Sequence, residues 1–275
     1  MNSSDDEDLS KRPRLEGRVG LELDGAKLEF QVEMPDGPVN VDDLIPLFHQ
    51  LSGLVAEAGE RRADVAGLPI SCRAGCGACC RQSVPVTEGE ARYLAGLVDA
   101  MPEPRRSQVV ARFEETLRTV RDCEAGRNLL DAMQAGAPTG KTLVSAYFRL
   151  GIPCPFLEDE RCSIHAQRPM SCREYLVTSD PVYCAALDGE QIRRVRLTQI
   201  VHRVARVSRR DTHHGYVLLI EALAFAAVSP PPPREHRGPE ILAAVIKSDG
   251  PEARSGRPAP SGEHRMGPVD QPQRS

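Results

Sequence analysis

The chain has 275 residues, 40% of them hydrophobic and only 4% aromatic, with a formal net charge of -4. That length holds one sizeable domain with tails, and the near-balanced charge gives no overall pull toward nucleic acid or anionic lipid. Trp is absent, so a core must be built from Leu, Val, Ile and Ala.

Residues 1–17 are polar, charged and aperiodic, and are expected to be disordered. Their acidic start lacks the basic and apolar stretches of a secretory leader. The longest apolar run, Val217 to Val228, is broken by Glu221 and falls short of the roughly 20 residues of a membrane span. The expectation is a soluble, cytoplasmic protein in a reducing compartment, with no membrane contact.

Residues 18–38 alternate apolar and polar on both sides of Asp24-Gly25. This predicts a β-hairpin with a type I′ turn, because both turn residues tolerate positive φ. Asp42 or Asp43 can cap a helix to about Gly59, with Leu44, Leu47, Phe48, Leu51, Leu54 and Val55 at helical spacing. Thr87 and Glu90 form a capping box that opens a helix to about Met101. After Pro104 a longer helix runs to about Met133 and carries Cys123.

Leu143–Leu150 is a short helical piece. Gln191–Arg209 reads as an Arg-rich helix carrying Arg193, Arg194, Arg196, Arg203, Arg206 and Arg209. It could meet a protein partner; nucleic acid is disfavoured because no stacking aromatics interleave. His213–Val228 is predicted as a further helix. Residues 229–275 form a Pro-rich linker, a short helix at Glu240–Ser248 and a disordered tail from 249. The predicted fold class is mainly α with a small N-terminal β-hairpin packed on a helical domain over 39–228. A loop-rich cysteine region staples that domain through metal.

The cysteines carry the chemistry. Cys72, Cys76, Cys79 and Cys80 crowd into one Gly-rich loop, and Cys154, Cys162, Cys172 and Cys184 follow in a second window. Clustered thiols in an intracellular chain serve metal more often than disulfides. Cys76-x-x-Cys79 can turn two thiolates onto one metal, and Gly77 permits the tight backbone. Adjacent Cys79 and Cys80 diverge, so they serve two metals or one of them stands behind the ligand set. The stretch from Cys154 to Cys162 is predicted as a hairpin with a solvated acidic tip, Glu158-Asp159-Glu160. All eight thiols are candidate ligands for zinc or an iron–sulfur cluster. Arg73, Arg81, Arg168 and Arg173 flank them and could offset thiolate charge. His165 is read equally as a ligand or a hydrogen-bonded loop residue, His213-His214 as a helix start, and Cys123 as a core residue.

The pattern Cys-x-x-x-Cys-Gly-x-Cys-Cys-Arg, followed by Cys-Pro-Phe-Leu, Cys-Ser-Ile-His and Arg-Pro-x-x-Cys-Arg, resembles the YkgJ-type cysteine-cluster family over roughly residues 70–185. That family is described as a zinc- or iron-chelating domain. The resemblance implies metal binding at Cys72, Cys76, Cys79, Cys80, Cys154, Cys162, Cys172 and Cys184, and no settled reaction. Three readings follow. The first is a bacterial cytoplasmic metal-binding protein for storage, delivery or redox sensing. The second is an iron–sulfur methyl-transfer enzyme similar to flagellin lysine methylases, although no Gly-rich cofactor signature accompanies the cysteines. The third is a metal-stapled interaction module.

Overall fold

The computed structural model describes residues 9–73, 75–137, 139–187, 189–209 and 215–248. His213 and His214, and the expected C-terminal tail, lie outside them. About 52% of the chain is helical, and strands occur only in two-stranded antiparallel sheets, which makes the fold mainly α.

Strands β1 (Arg14–Leu23) and β2 (Ala26–Pro35) form the hairpin. Asp24 and Gly25 take φ of 54° and 74°, the double positive φ of a type I′ turn. The hairpin begins ahead of the expected residue 18, because Arg14 to Gly17 pair with Val32 to Pro35. One face of β2 buries Leu28, Phe30, Val32 and Met34. Strand β3 (Pro38–Val39) leads through a 3-10 turn at Asp42–Leu44 into helix α1 (Ile45–Val65), which runs past the predicted end at Gly59.

After the first cysteine window come β4 (Pro85–Thr87) and α2 (Glu88–Asp99). The predicted capping box is present: Glu90 N–H donates to Thr87 Oγ1 at 3.1 Å, and Thr87 N–H donates to Glu90 Oε2 at 3.1 Å. The long helix expected to Met133 is instead two, α3 (Arg105–Asp122) and α4 (Glu124–Gln134). Cys123 breaks it with an extended backbone, φ -106° and ψ 145°. Gly126 explains the sharp turn: a Cβ there would stand 2.1 Å from the Val120 carbonyl oxygen.

Helix α5 (Lys141–Phe148) precedes the second window. That window holds the small hairpin β5 (Leu157–Glu158) and β6 (Arg161–Cys162), then α6 (Met170–Arg173) and α7 (Pro181–Ala186). Next is α8 (Ile200–Ser208), much shorter than the predicted Gln191–Arg209. Residues before it are drawn into extended pairing: Thr178 N–H donates to Arg193 O and Val195 N–H to Leu176 O, both at 2.9 Å. Tertiary pairing overrides the helix preference of this Arg-rich stretch. The expected arginine face is therefore divided; Arg194 stacks on Tyr175 at 4.7 Å, and Arg203 Nη1 donates to Ile246 O.

The predicted helix from His213 also changes. Tyr216–Leu218 is strand β7, paired with β4, and a 3-10 turn at Leu219–Glu221 leads from it into α9 (Ala222–Val228). The β-forming Tyr-Val-Leu triplet follows Gly215 at φ +77°, which breaks helical continuity. Strand β8 (His236–Arg237) and α10 (Gly238–Lys247) complete the described chain.

Three apolar clusters hold these elements together. The first joins β2, α1, α8 and α10 with Met170 and Leu176. The second joins β4, α2, α3 and α9 with Phe156 and Ile164, and Cys154 and Cys162 pack against it. The third joins α3, α4, Tyr147 and Leu218. The cysteine windows lie where the first two clusters meet.

Candidate metal centre

The first window, Ser71 to Arg81, has no α-helix; a 3-10 turn at Ala78–Arg81 carries Cys79 and Cys80. It is held at three points. Ser71 N–H donates to Val177 O at 2.9 Å, and its hydroxyl donates to Ser179 O at 2.5 Å. Arg81 forks onto Glu160 at 3.0 and 2.6 Å. Cys154 N–H donates to Cys80 O at 2.7 Å, so the two windows touch through their backbones.

The acidic tip of the second window is therefore not a purely solvated turn. Asp159 and Glu160 take φ of 48° and 57°, which folds the tip back over Gly77. A Cβ on Gly77 would lie 2.2 Å from Glu160 Oε2. Glu158 pairs with Arg112 at 2.6 Å and with Arg105 at 3.7 Å.

The second window sits on two buried carboxylates, Glu90, already met as a helix cap, and Glu174, which the sequence pattern does not mark. Glu90, fully buried, accepts Met170 N–H at 2.7 Å and lies 3.0 Å from His49 Nε2. Glu174, 1% exposed, accepts the Ser52 hydroxyl at 2.8 Å and Ile200 N–H at 3.0 Å. Burial pushes the Glu174 carboxyl up to about 8, although these donors oppose the shift. Helix α6, with Cys172, is thus gripped at both ends. Farther on, Asp180 caps α7 by accepting Val182 N–H at 2.9 Å, which places buried Cys184. The sequence signal was present but faint: Glu174, beside Arg173, directly precedes Tyr175, Leu176 and Val177.

Cys79 is the common neighbour of the thiols. It lies beside Cys80, and a thiolate there would further disfavour ionisation of Cys72, Cys154, Cys162, Cys172 and Cys184. Cys76 is felt at Cys72 and Cys184. Cysteines of both windows thus lie within electrostatic reach of Cys79. Cys123 stands apart and donates its thiol to Val120 O at 3.3 Å.

Burial pushes the thiols of Cys72, Cys162, Cys172 and Cys184 up, and that of Cys154 to about 12. Cys79 is raised first by its bond with Cys80 and then by burial. Among the described residues, no group of three or more His, Cys, Asp or Glu side chains is gathered closely enough to hold a metal ion.

The four flanking arginines divide. Arg81 is committed mainly to Glu160, and Arg173 Nε donates to Arg168 O at 2.8 Å. Arg73 is exposed. Arg168 alone opposes the rise at Cys72, Cys79, Cys162 and Cys172 together. Its Nη1 donates to His165 Nε2 at 2.9 Å, and its Nε is buried with no hydrogen-bond partner. Arg has no acceptor, so that His165 nitrogen accepts and is spent on Arg168. Tyr175, also unassigned by sequence, donates toward Cys184 and is shielded by Arg194.

A thiol-rich patch facing a guanidinium with an unused N–H fits a thiolate-bound cation. Bound thiolates carry net negative charge, and sulfur accepts hydrogen bonds from such donors. No helix of the described residues is long and apolar enough to cross a membrane.

Residues 71–195 match the family model CxxCxxCC, described as "Putative zinc- or iron-chelating domain". No curated protein and no solved structure gives a match.

Proposed function

Because the chain carries a domain of the CxxCxxCC family at residues 71–195, we propose that it holds zinc or iron through thiolates of both cysteine windows. The observation that carries this reading is the backbone bond from Cys154 N–H to Cys80 O at 2.7 Å, which brings the two windows together. The ligand set is Cys72, Cys76, Cys79, Cys80, Cys154, Cys162, Cys172 and Cys184.

Ligation needs thiolates, and the buried thiols resist ionisation in the metal-free chain. These cysteines would hold a cation as thiolates, and its charge would offset theirs. Arg168 would bring its unused Nε–H to that charge, and Gly77 leaves room for Glu160 beside the loop. Bound there, zinc supplies closure of the windows, and an iron–sulfur cluster adds one-electron exchange. Eight thiols with two adjacent ones favour more than one metal atom, and we assign an iron–sulfur cluster in the cell with zinc as its aerobic replacement. All four cysteines of the first window are partly exposed, which suits a centre that stores, passes on or senses metal. Every sheet of the described residues is two-stranded and antiparallel, so the methyl-transfer reading gains no support and is not adopted.

The test is purification without oxygen, followed by metal and acid-labile sulfide analysis. Brown protein with iron and sulfide is expected. Colourless protein with stoichiometric zinc and no sulfide would replace the cluster by zinc sites. Protein with neither metal, and unable to take up either, would sink the thiolate centre.

A further inference from the structure

A cleft of about 800 Å³ lies against the first window, between α5 and α7. That volume falls in the range of about 300–1,000 Å³ typical of small-molecule sites. Cys76 lies in its wall, whereas the other seven candidate ligands do not line it. Two kinds of group face the space. Arg73 and Arg149 bring positive charge, and neither makes a hydrogen bond or ion pair with a described side chain. The third guanidinium, Arg81, is already matched by Glu160, the one carboxylate among the described residues that line the cleft. Opposite in character, Phe148 and Val182 give apolar surface, and Val182 is 57% exposed. An apolar side chain left wet in a concave wall, beside two cations with no partner among the described side chains, describes its complement: an anion with an apolar body.

We propose that this cleft binds a small carboxylate with an apolar body, its carboxylate on Arg73 and Arg149 and its body on Phe148 and Val182, beside Cys76. The idea rests on the metal reading only for the ligand's role, which is to carry zinc or iron to or from the thiolates as a carboxylate chelate. Occupancy itself needs no metal. Charge-assisted hydrogen bonds to each guanidinium hold the anion, and burial of its body removes Val182 from water.

Salicylate is the probe: it joins a carboxylate to an apolar ring, and its own fluorescence reports binding to a chain without Trp. Titration into the metal-free, full-length chain should give saturable binding. Arg73→Gln and Arg149→Gln should each weaken it about tenfold, the worth of one hydrogen bond to a charged group. Val182→Asp should weaken it as much, and Arg118→Gln, on an exposed position of α3, should leave it unchanged. Circular dichroism checks that each variant is folded. Salicylate should also slow alkylation of Cys76 by iodoacetamide, read by mass spectrometry, without slowing that of Cys162. Absent binding, binding indifferent to the arginine and Val182 substitutions, or an unprotected Cys76 would each overturn the proposal. A chain that binds salicylate in this way yet never takes up metal would leave the cleft standing and sink the thiolate centre. Metal uptake without salicylate binding would do the reverse.

Discussion

The two cysteine windows carry four candidate ligands each and are built in opposite ways. The second is framed by its own structure. Cys154 and Cys162 pack on an apolar cluster, Cys172 rides on a helix gripped by Glu90 and Glu174, and Cys184 is buried on a capped helix. The first is a loop docked onto that frame by a serine, one arginine and one backbone hydrogen bond. The second window is a half-site that the fold pre-forms; the first is a half-site that arrives. Cost follows from this difference. Ordering a loop residue costs about 1–2 kcal/mol of backbone entropy, so the first window depends on a ligand and the second does not.

Metal removal should show the largest effect. Structural zinc contributes roughly 10–16 kcal/mol in small domains without another core; here the apolar clusters carry part of the fold, so the loss should be local. Chelation should lower the melting temperature and abolish amide-exchange protection across residues 72–82, while 154–184 keep theirs. Equal loss in both windows would end the comparison, as would an unchanged melt after demonstrated metal loss.

Next come the carboxylates under the second window. Glu174→Ala strands the Ser52 hydroxyl and the Ile200 N–H, at a cost on the order of 3 kcal/mol. Glu90→Ala should cost a similar amount, because Met170 N–H and Thr87 N–H lose their acceptor. Chemical denaturation reads both. If either variant melted like the parent, the second window would not be pre-formed by these groups.

Smaller effects belong to the docking contacts. Gly77→Ala must push Glu160 aside and so break the Arg81 fork, with little loss of stability, since exposed ion pairs are worth little. Metal affinity should fall more than stability does, because only the arriving half is disturbed. A titration showing unchanged affinity would argue that the Glu160 lid is idle.

The smallest effect concerns acid. Burial lowers the pKa of half-buried His202, which lies 2.6 Å from the Tyr216 hydroxyl. A histidine depressed in the folded state contributes stability above its unfolded pKa of about 6.5, and that contribution is lost as pH falls through the folded value. His202→Gln should therefore flatten the loss of stability as pH falls below about 6.5. A parent and variant with parallel pH curves would refute this assignment.

Much of this was legible in the sequence because the signals were local. Asp24-Gly25, the Thr87–Glu90 box and the cysteine spacings each depend on neighbours along the chain. What was hidden depended on distant ones. Residues 191–199 look helical by composition, yet pairing with residues 176–178 and the seating of Leu197 against Gly59 hold them extended. The helix break at Cys123 follows from Gly126 meeting the Val120 backbone. Glu90 was visible as a cap, but its second task, receiving Met170 N–H, joins residues 80 positions apart. Arg168 was one of four flanking arginines; only the packing distinguished it from the other three.

The Arg81–Glu160 fork has one more consequence. Both side chains are substantially open to solvent, at 32% and 51%, so dissolved ions can screen their attraction, over a Debye length of about 8 Å at physiological ionic strength. The backbone bond from Cys154 to Cys80 is short-ranged and feels no such screening. Raising salt should therefore release the Glu160 tip from above Gly77 while Ser71 and Cys80 keep both ends of the loop pinned. The tip becomes a door over the middle of the loop, and ionic strength sets how often it stands open.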